Sequence, residues 1–265
     1  MNSFKKEFDH QKTYFERGLC IDNTPTIFIH GVGLDNTMWY PQKEIFQNKP
    51  VIFYDILNHG KSKKGYHALT FHDFSEQLNA LLNYLKISKI NLVGFSIGSL
   101  IAQHFTAKNI NKINKLVLIS SVYKRSKKQI VAVKNRYIEA KNNKGDKEIS
   151  IRLIKRWFSE LYLKQNPDVY KFFFNLLENK KNENFIPAYK IFIESDKSKL
   201  NFSKFNMPTL IMTGKNEIGS TPKMSEELHK DIKNSILYII KDAKHGVTIE
   251  QSKDVNEQLI KFLFS

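Results

Sequence analysis

Two hydrophobic periods alternate along this chain. Short apolar runs rich in branched side chains occupy residues 26–30, 50–55, 90–93, 115–120, 207–214 and 235–240, and each reads as a buried strand. Between them the spacing lengthens. Phe74, Leu78, Leu81, Leu82 and Leu85 recur at helical intervals within 71–86, as do Leu100, Ile101, Phe105 and Ala107 after residue 96. Met38 and Trp39 begin a short helical piece, and residues 255–264 form a closing helix. Residues 1–24 read as one or two antiparallel strands, with Tyr14 and Phe15 near a turn at Gly18. Strands alternating with helices predict an α/β fold, a doubly wound and mostly parallel sheet.

That alternation stops between residues 122 and 205. The stretches IRLIKRWFSELYLK and VYKFFFNLLE are charged, aromatic-rich and helical, and no strand pattern interrupts them. The chain therefore divides into a core of residues 1–121 and 206–265 and an inserted helical cap of residues 122–205. An insertion at this point lies over the carboxyl ends of the strands, where open α/β sheets place their ligands. Within it, residues 142–145 (NNKG) read as a flexible link between helices, and no internal repeat is visible.

Composition narrows the picture modestly. A chain of 265 residues fits one large domain, or one core carrying a subdomain, and 12% aromatic residues suffice for a core and a lined pocket. The first 18 residues lack the apolar stretch of a secretory signal, and no run approaches the ~18 apolar residues of a membrane span. The single Cys20 cannot form an internal disulfide. A cytoplasmic protein is expected. Net charge is +16, nearly all of it lysine and densest at residues 124–128 and 141–147. Scattered lysine reads as a solvated basic surface, with an acyl-carrier or CoA-linked substrate as the functional alternative. Nucleic-acid binding is not expected, because no zinc-finger spacing, basic heptad or RNP-like strand occurs.

The candidate chemistry centres on Gly94-Phe95-Ser96-Ile97-Gly98, set between a strand and a helix. A glycine-flanked turn is the plain reading. The strand before it and the helix after it favour a G-x-S-x-G nucleophile elbow instead, in which a strained turn lifts the serine hydroxyl above the sheet. The Ile97 amide, at the helix N-terminus, is then free to meet a developing oxyanion.

With these features the chain resembles the α/β-hydrolase superfamily, over nearly the whole core but not the cap. The resemblance implies a triad in the order serine, acid, histidine. His245, in the loop after the last strand, takes the place of the general base. Glu217, after the strand LIMTG, stands where relatives usually carry aspartate. His229 reads as a surface residue, His104 points away from the site, and the segment SSVYKRSKK offers no rival carboxylate. The loop His30-Gly31-Val32-Gly33 supplies a second oxyanion-hole amide, from Val32, to join that of Ile97. Asp55 and His59-Gly60-Lys61-Ser62 are similar to the family's D-x-x-x-H-G-x-S turn and read as structural, although Leu57 and Asn58 replace its usual Arg-Gly. The HG-x-G and GSTP segments are similar to the enol-lactonase and small-carboxylesterase branch. A serine at the elbow argues against haloalkane dehalogenases and epoxide hydrolases.

The function expected is hydrolysis of a small ester, lactone or thioester through an acyl-enzyme, with no metal or organic cofactor. Trp39, Phe95, Tyr123, Trp157 and Phe158 are the candidate pocket residues. Carbon–carbon bond hydrolysis by the same triad, and a non-catalytic small-molecule receptor, remain as alternatives.

Overall fold

The computed structural model describes residues 4–18, 24–142, 147–179 and 182–264. Cys20 and residues 143–145 of the expected link lie outside them. Strands β1 (Phe4–Phe8) and β2 (Tyr14–Gly18) form an antiparallel hairpin at one sheet edge. Its turn is residues 9–13, where the Asp9 carboxylate accepts from the Gln11 and Thr13 amides at 2.9 and 2.7 Å. Tyr14 and Phe15 therefore lie inside β2, and Gly18 ends that strand rather than making the turn. The aspartate turn was the stronger local signal.

The remaining strands are parallel: β3 (Thr26–Ile29), β4 (Val51–Tyr54), β5 (Ile90–Phe95), β6 (Ile113–Ile119), β7 (Thr209–Gly214) and β8 (Ser235–Ile240). Their order, β1-β2-β4-β3-β5-β6-β7-β8, reverses direction at β3. Side chains alternate between two layers. Along β4, Val51 and Phe53 join one apolar cluster, and Ile52 and Tyr54 the other. Helix α1 (Tyr40–Phe46) covers the first layer. Helices α2 (Phe71–Tyr84) and α3 (Ile97–Lys108) cover the second through Phe74, Leu78, Ile101 and Phe105. A sheet buried on both faces is the doubly wound arrangement that continuous apolar strands require. α2 opens on a capping box, Thr70 with Asp73, which sets where the helix starts.

Among the described residues, β6 and β7 are joined by five helices: α4 (Lys127–Asn142), α5 (Lys147–Trp157), α6 (Glu160–Gln165), α7 (Pro167–Glu178) and α8 (Asn182–Glu194). Helix α9 (Pro222–Asp231) sends Leu228 into the second layer; the short α10 (Val247–Glu250) and the final α11 (Ser252–Leu263) pack on the first. No described helix is long and apolar enough to cross a membrane.

The reversal at β3 places the loops after β3 and β5 side by side, which is the crevice position of such sheets. Close approach there depends on Gly98. A methyl group on it would stand 2.3 Å from the Ile29 carbonyl oxygen. Gly98→Ala should therefore cost about 3 kcal/mol, read as a lower denaturation midpoint. An unchanged midpoint would show that α3 and β3 can separate freely.

Candidate active site

Ser96 links β5 to α3 with φ 56° and ψ −118°, a left-handed backbone that non-glycine residues rarely hold. Three contacts keep it there. Its amide donates to the Ile119 carbonyl at 2.9 Å, and its carbonyl accepts from the Ser99 amide at 3.0 Å and the Ser99 hydroxyl at 2.7 Å. Gly94 permits the turn: a side chain there would collide with the Gly98 carbonyl, 2.3 Å away. Ser96 is buried, and it faces a cavity instead of bulk solvent.

His245 lies on the loop between β8 and α10 and lines the same cavity. Its Nδ1 meets the Oε2 of Glu217 at 2.6 Å, which leaves Nε2 as the nitrogen available for proton transfer. The other carboxylate oxygen, Oε1, accepts from the Gly219 amide and, at 3.2 Å, from the Ser220 amide. Burial alone would push the Glu217 carboxyl up. The charge and hydrogen bond of His245, the Gly219 amide and the charge of Arg156 outweigh it and hold the carboxyl at about 2. Glu217 is thus held ionised beside His245.

The His245 loop is held from below. The Gly246 amide donates to the Trp157 carbonyl at 2.8 Å, and a methyl group on Gly246 would stand 2.3 Å from the Phe158 ring. The buried Glu250 carboxylate ties the loop to the helical segment, accepting from the Lys244 amide at 2.8 Å and the Ser159 amide at 2.7 Å. Glu250 carried no sequence signal, since its partners are a distant loop and a helix start.

The loop after β3 is positioned by two buried histidines. The Gly33 amide donates to His59 Nε2 at 3.0 Å, so the ring proton sits on Nδ1, facing the Leu57 carbonyl at 2.9 Å. His30 repeats the logic. Its Nε2 accepts from the Ile56 amide at 3.1 Å, and its Nδ1 faces the Gly31 carbonyl at 2.8 Å. Val32 and Gly33 line the cavity beside Ser96, and Ile97, as the first residue of α3, has an amide with no partner inside the helix. Asp55 braces the neighbouring turn, accepting from the Asn36 amide and side chain, each at 2.7 Å, and the Lys61 amide at 2.8 Å.

Of the expected pocket residues, Phe95 and Trp157 line the cavity. Trp39, Tyr123 and Phe158 do not. Trp39 is fully buried against Phe28 and Phe95 in the first layer. Tyr123 turns its hydroxyl to Asp231 and packs edge-on against Phe202, with ring centres 5.4 Å apart. Phe158 lies against Phe173 at 5.0 Å, under the His245 loop. Trp39 and Phe158 found core sites and Tyr123 a half-buried one against the core, which proximity in sequence does not reveal. His104 stacks on Phe71 at 3.8 Å, away from Ser96.

The cavity, about 160 Å³, is roofed by α4, α5 and α8. Three side chains in its wall were not expected from the sequence: Arg125, Arg136 and Arg156. Arg125 is committed to structure. Its guanidinium pairs with Asp196 at 3.0 Å and donates to the Phe192 carbonyl at 2.7 Å and the Ser195 hydroxyl at 3.0 Å, tying the approach to α4 to the end of α8. The signal that could have found these residues was the clustering of arginine in one segment of a lysine-rich chain.

Comparison with known proteins bears on the fold. The family model described as alpha/beta hydrolase fold matches residues 24–252. The (E)-2-((N-methylformamido)methylene)succinate hydrolase of Acinetobacter baylyi is 27% identical over 94% of this chain and 93% of its own. The 3-oxoadipate enol-lactonase 2 of the same organism is 22% identical over 89% and 86%. Among solved structures, the enol-lactonase of Burkholderia xenovorans superposes with a TM-score of 0.84 at 21% identity, covering 98% of this chain and 100% of that one. A thermophilic esterase of Thermogutta terrifontis superposes with a TM-score of 0.83 at 24% identity, over 98% and 97%. The chain belongs to the α/β-hydrolase fold family.

Proposed function

We propose that this protein is a serine hydrolase that cleaves a small-molecule ester, lactone or thioester through an acyl-enzyme. The observation that carries the reading is the strained Ser96 opening onto the same cavity as His245, whose far nitrogen is held by ionised Glu217. A serine hydroxyl is a weak nucleophile at neutral pH, and a base oriented by an acid makes it competent.

In this mechanism Ser96 Oγ attacks the substrate carbonyl while His245 Nε2 takes its proton. The tetrahedral oxyanion is received by the Val32 and Ile97 amides, which are fixed before reaction and need no reorganisation. The intermediate collapses as His245 returns the proton to the leaving oxygen or sulfur. Water, deprotonated by the same nitrogen, then releases the acid from Ser96. Residues 122–205 serve as the cap, closing the pocket from above. Relatives named as enol-lactonase and esterase support ester-bond chemistry.

A fluorophosphonate probe tests the reading first. Labelling should map to Ser96 and disappear in His245→Ala, and a panel of esters, lactones, thioesters and vinylogous diketones should then show turnover with the first three. A folded protein that takes no label would sink the nucleophile assignment. Binding with negligible turnover would favour the receptor alternative.

A further inference from the structure

The cavity wall is unusual in its charge. The chain has 42 basic residues, and the formal net charge is +16. Yet among the described residues no lysine lines the cavity, no aspartate or glutamate does, and three arginines do. Guanidinium is the cation suited to forked recognition of carboxylates, whereas surface lysine is a point charge in water. The selection of arginine here is therefore a property of the pocket, not of the basic surface.

Ion pairing separates these arginines by task. Arg17 pairs with Glu7, Arg152 with Glu139 and Arg125 with Asp196. Arg136 and Arg156 have no ion pair among the described residues, though each is partly buried in the cavity wall. Buried charges are ordinarily paired, because removing one from water without a partner is costly. Burial and then the charge of Arg136 hold the Arg156 guanidinium below its usual value, with Glu217 only partly compensating. Glu217 is a neighbouring charge and no direct ion-pair partner, its two oxygens being hydrogen-bonded to His245, Gly219 and Ser220.

The two cations converge. Tyr189 on α8 lines the same wall, where burial pushes its hydroxyl up and the charges of Arg136, Arg156 and Arg125 pull it part of the way back. Arg156 lies directly on the loop of Gly219: a methyl group there would stand 2.3 Å from its Nη2. Gly219 and Ser220 in turn adjoin His245. The rest of the wall is largely apolar, with Val133, Leu153, Leu177, Phe185 and Phe192.

We propose that Arg136 and Arg156, with Tyr189, form an anion subsite that receives a carboxylate of the substrate, so that the molecule hydrolysed is a short-chain acid carrying a second, scissile acyl group. The cleavage rests on the serine-hydrolase reading above; the anion subsite does not. The substrate's charge supplies the direct counterion missing among the described residues of the cavity wall, and its short apolar chain occupies the wall between the subsite and Ser96. A neutral ester of equal length fills the same space but leaves two guanidinium groups unpaired.

The test separates the two layers of the argument. Calorimetry on Ser96→Ala protein with glutarate and adipate, and with their dimethyl esters, reads the subsite without turnover. The dianions should bind at least ~10-fold tighter than the diesters, and Arg136→Gln or Arg156→Gln should each weaken them ~10-fold or more. Arg136→Lys should recover part of the loss, and Lys134→Gln, an exposed lysine of α4, should leave binding unchanged. In the active enzyme, the ratio of kcat/KM for monomethyl glutarate to that for methyl pentanoate should fall ~10-fold in the arginine variants. Equal loss on both esters, or diacid binding indifferent to both arginines, would overturn the subsite. Fluorophosphonate labelling of Ser96 with no preference for anions would sink this inference and keep the hydrolase. Tight diacid binding with no labelling would do the reverse.

Discussion

Replacing Ser96 with glycine should abolish turnover and stabilise the fold in the same variant. The first effect follows from removing the proposed nucleophile: kcat/KM should fall by ~10⁴-fold or more, since removing one member of a cooperating triad costs nearly as much as removing all of it. The second follows from the backbone. Ser96 is held at φ 56°, where a side chain carries strain of ~1–3 kcal/mol and glycine carries none. Against this stands the entropy that glycine adds to the unfolded chain, ~0.5–1 kcal/mol. The net should be a gain of ~1 kcal/mol, read as a raised denaturation midpoint. Ser96→Ala should lose the same activity without that gain. A glycine variant less stable than wild type would show that the turn is relaxed rather than strained.

Glu217→Gln should lower kcat by ~10²–10⁴-fold with the site otherwise intact. An amide in place of the carboxylate no longer stabilises the imidazolium, and its NH₂ group can hold His245 in the wrong tautomer. The same variant should change how stability depends on pH. The carboxyl is held at about 2 in the folded protein against an ordinary 4.5. A depressed acid contributes stability that is fully present above its unfolded value and is lost as pH falls through its folded one. Wild type should therefore lose up to ~3 kcal/mol from this group between pH 4.5 and 2, and the glutamine variant should show a flatter curve over that window. Identical acid curves for the two proteins would mean that Glu217 is not ionised against His245.

Much of this arrangement was legible because its causes are local. Each apolar run became a strand, and Gly94 and Gly98 marked a turn that only small residues permit. Glu217 and His245 were readable as loop residues after particular strands, and the fold brings them to 2.6 Å. What escaped depended on distant contacts. Tyr123 was claimed by Asp231 and Trp39 by Phe28, so neither reached the cavity. The arginines were hidden by averaging. Positive charge summed along the chain is dominated by lysine in water, while the informative cations sit at positions 136 and 156, on separate helices that only folding brings together.

The Arg125 contacts have a mechanical consequence. Its guanidinium binds Phe192, Ser195 and Asp196, so the start of the inserted segment is knotted to its end. A stretch of chain whose two ends are tied together has no free end from which to fray. Because α4 and α8 both lie inside that closure and pack on each other, Arg136 and Tyr189 stand on one braced pair of helices.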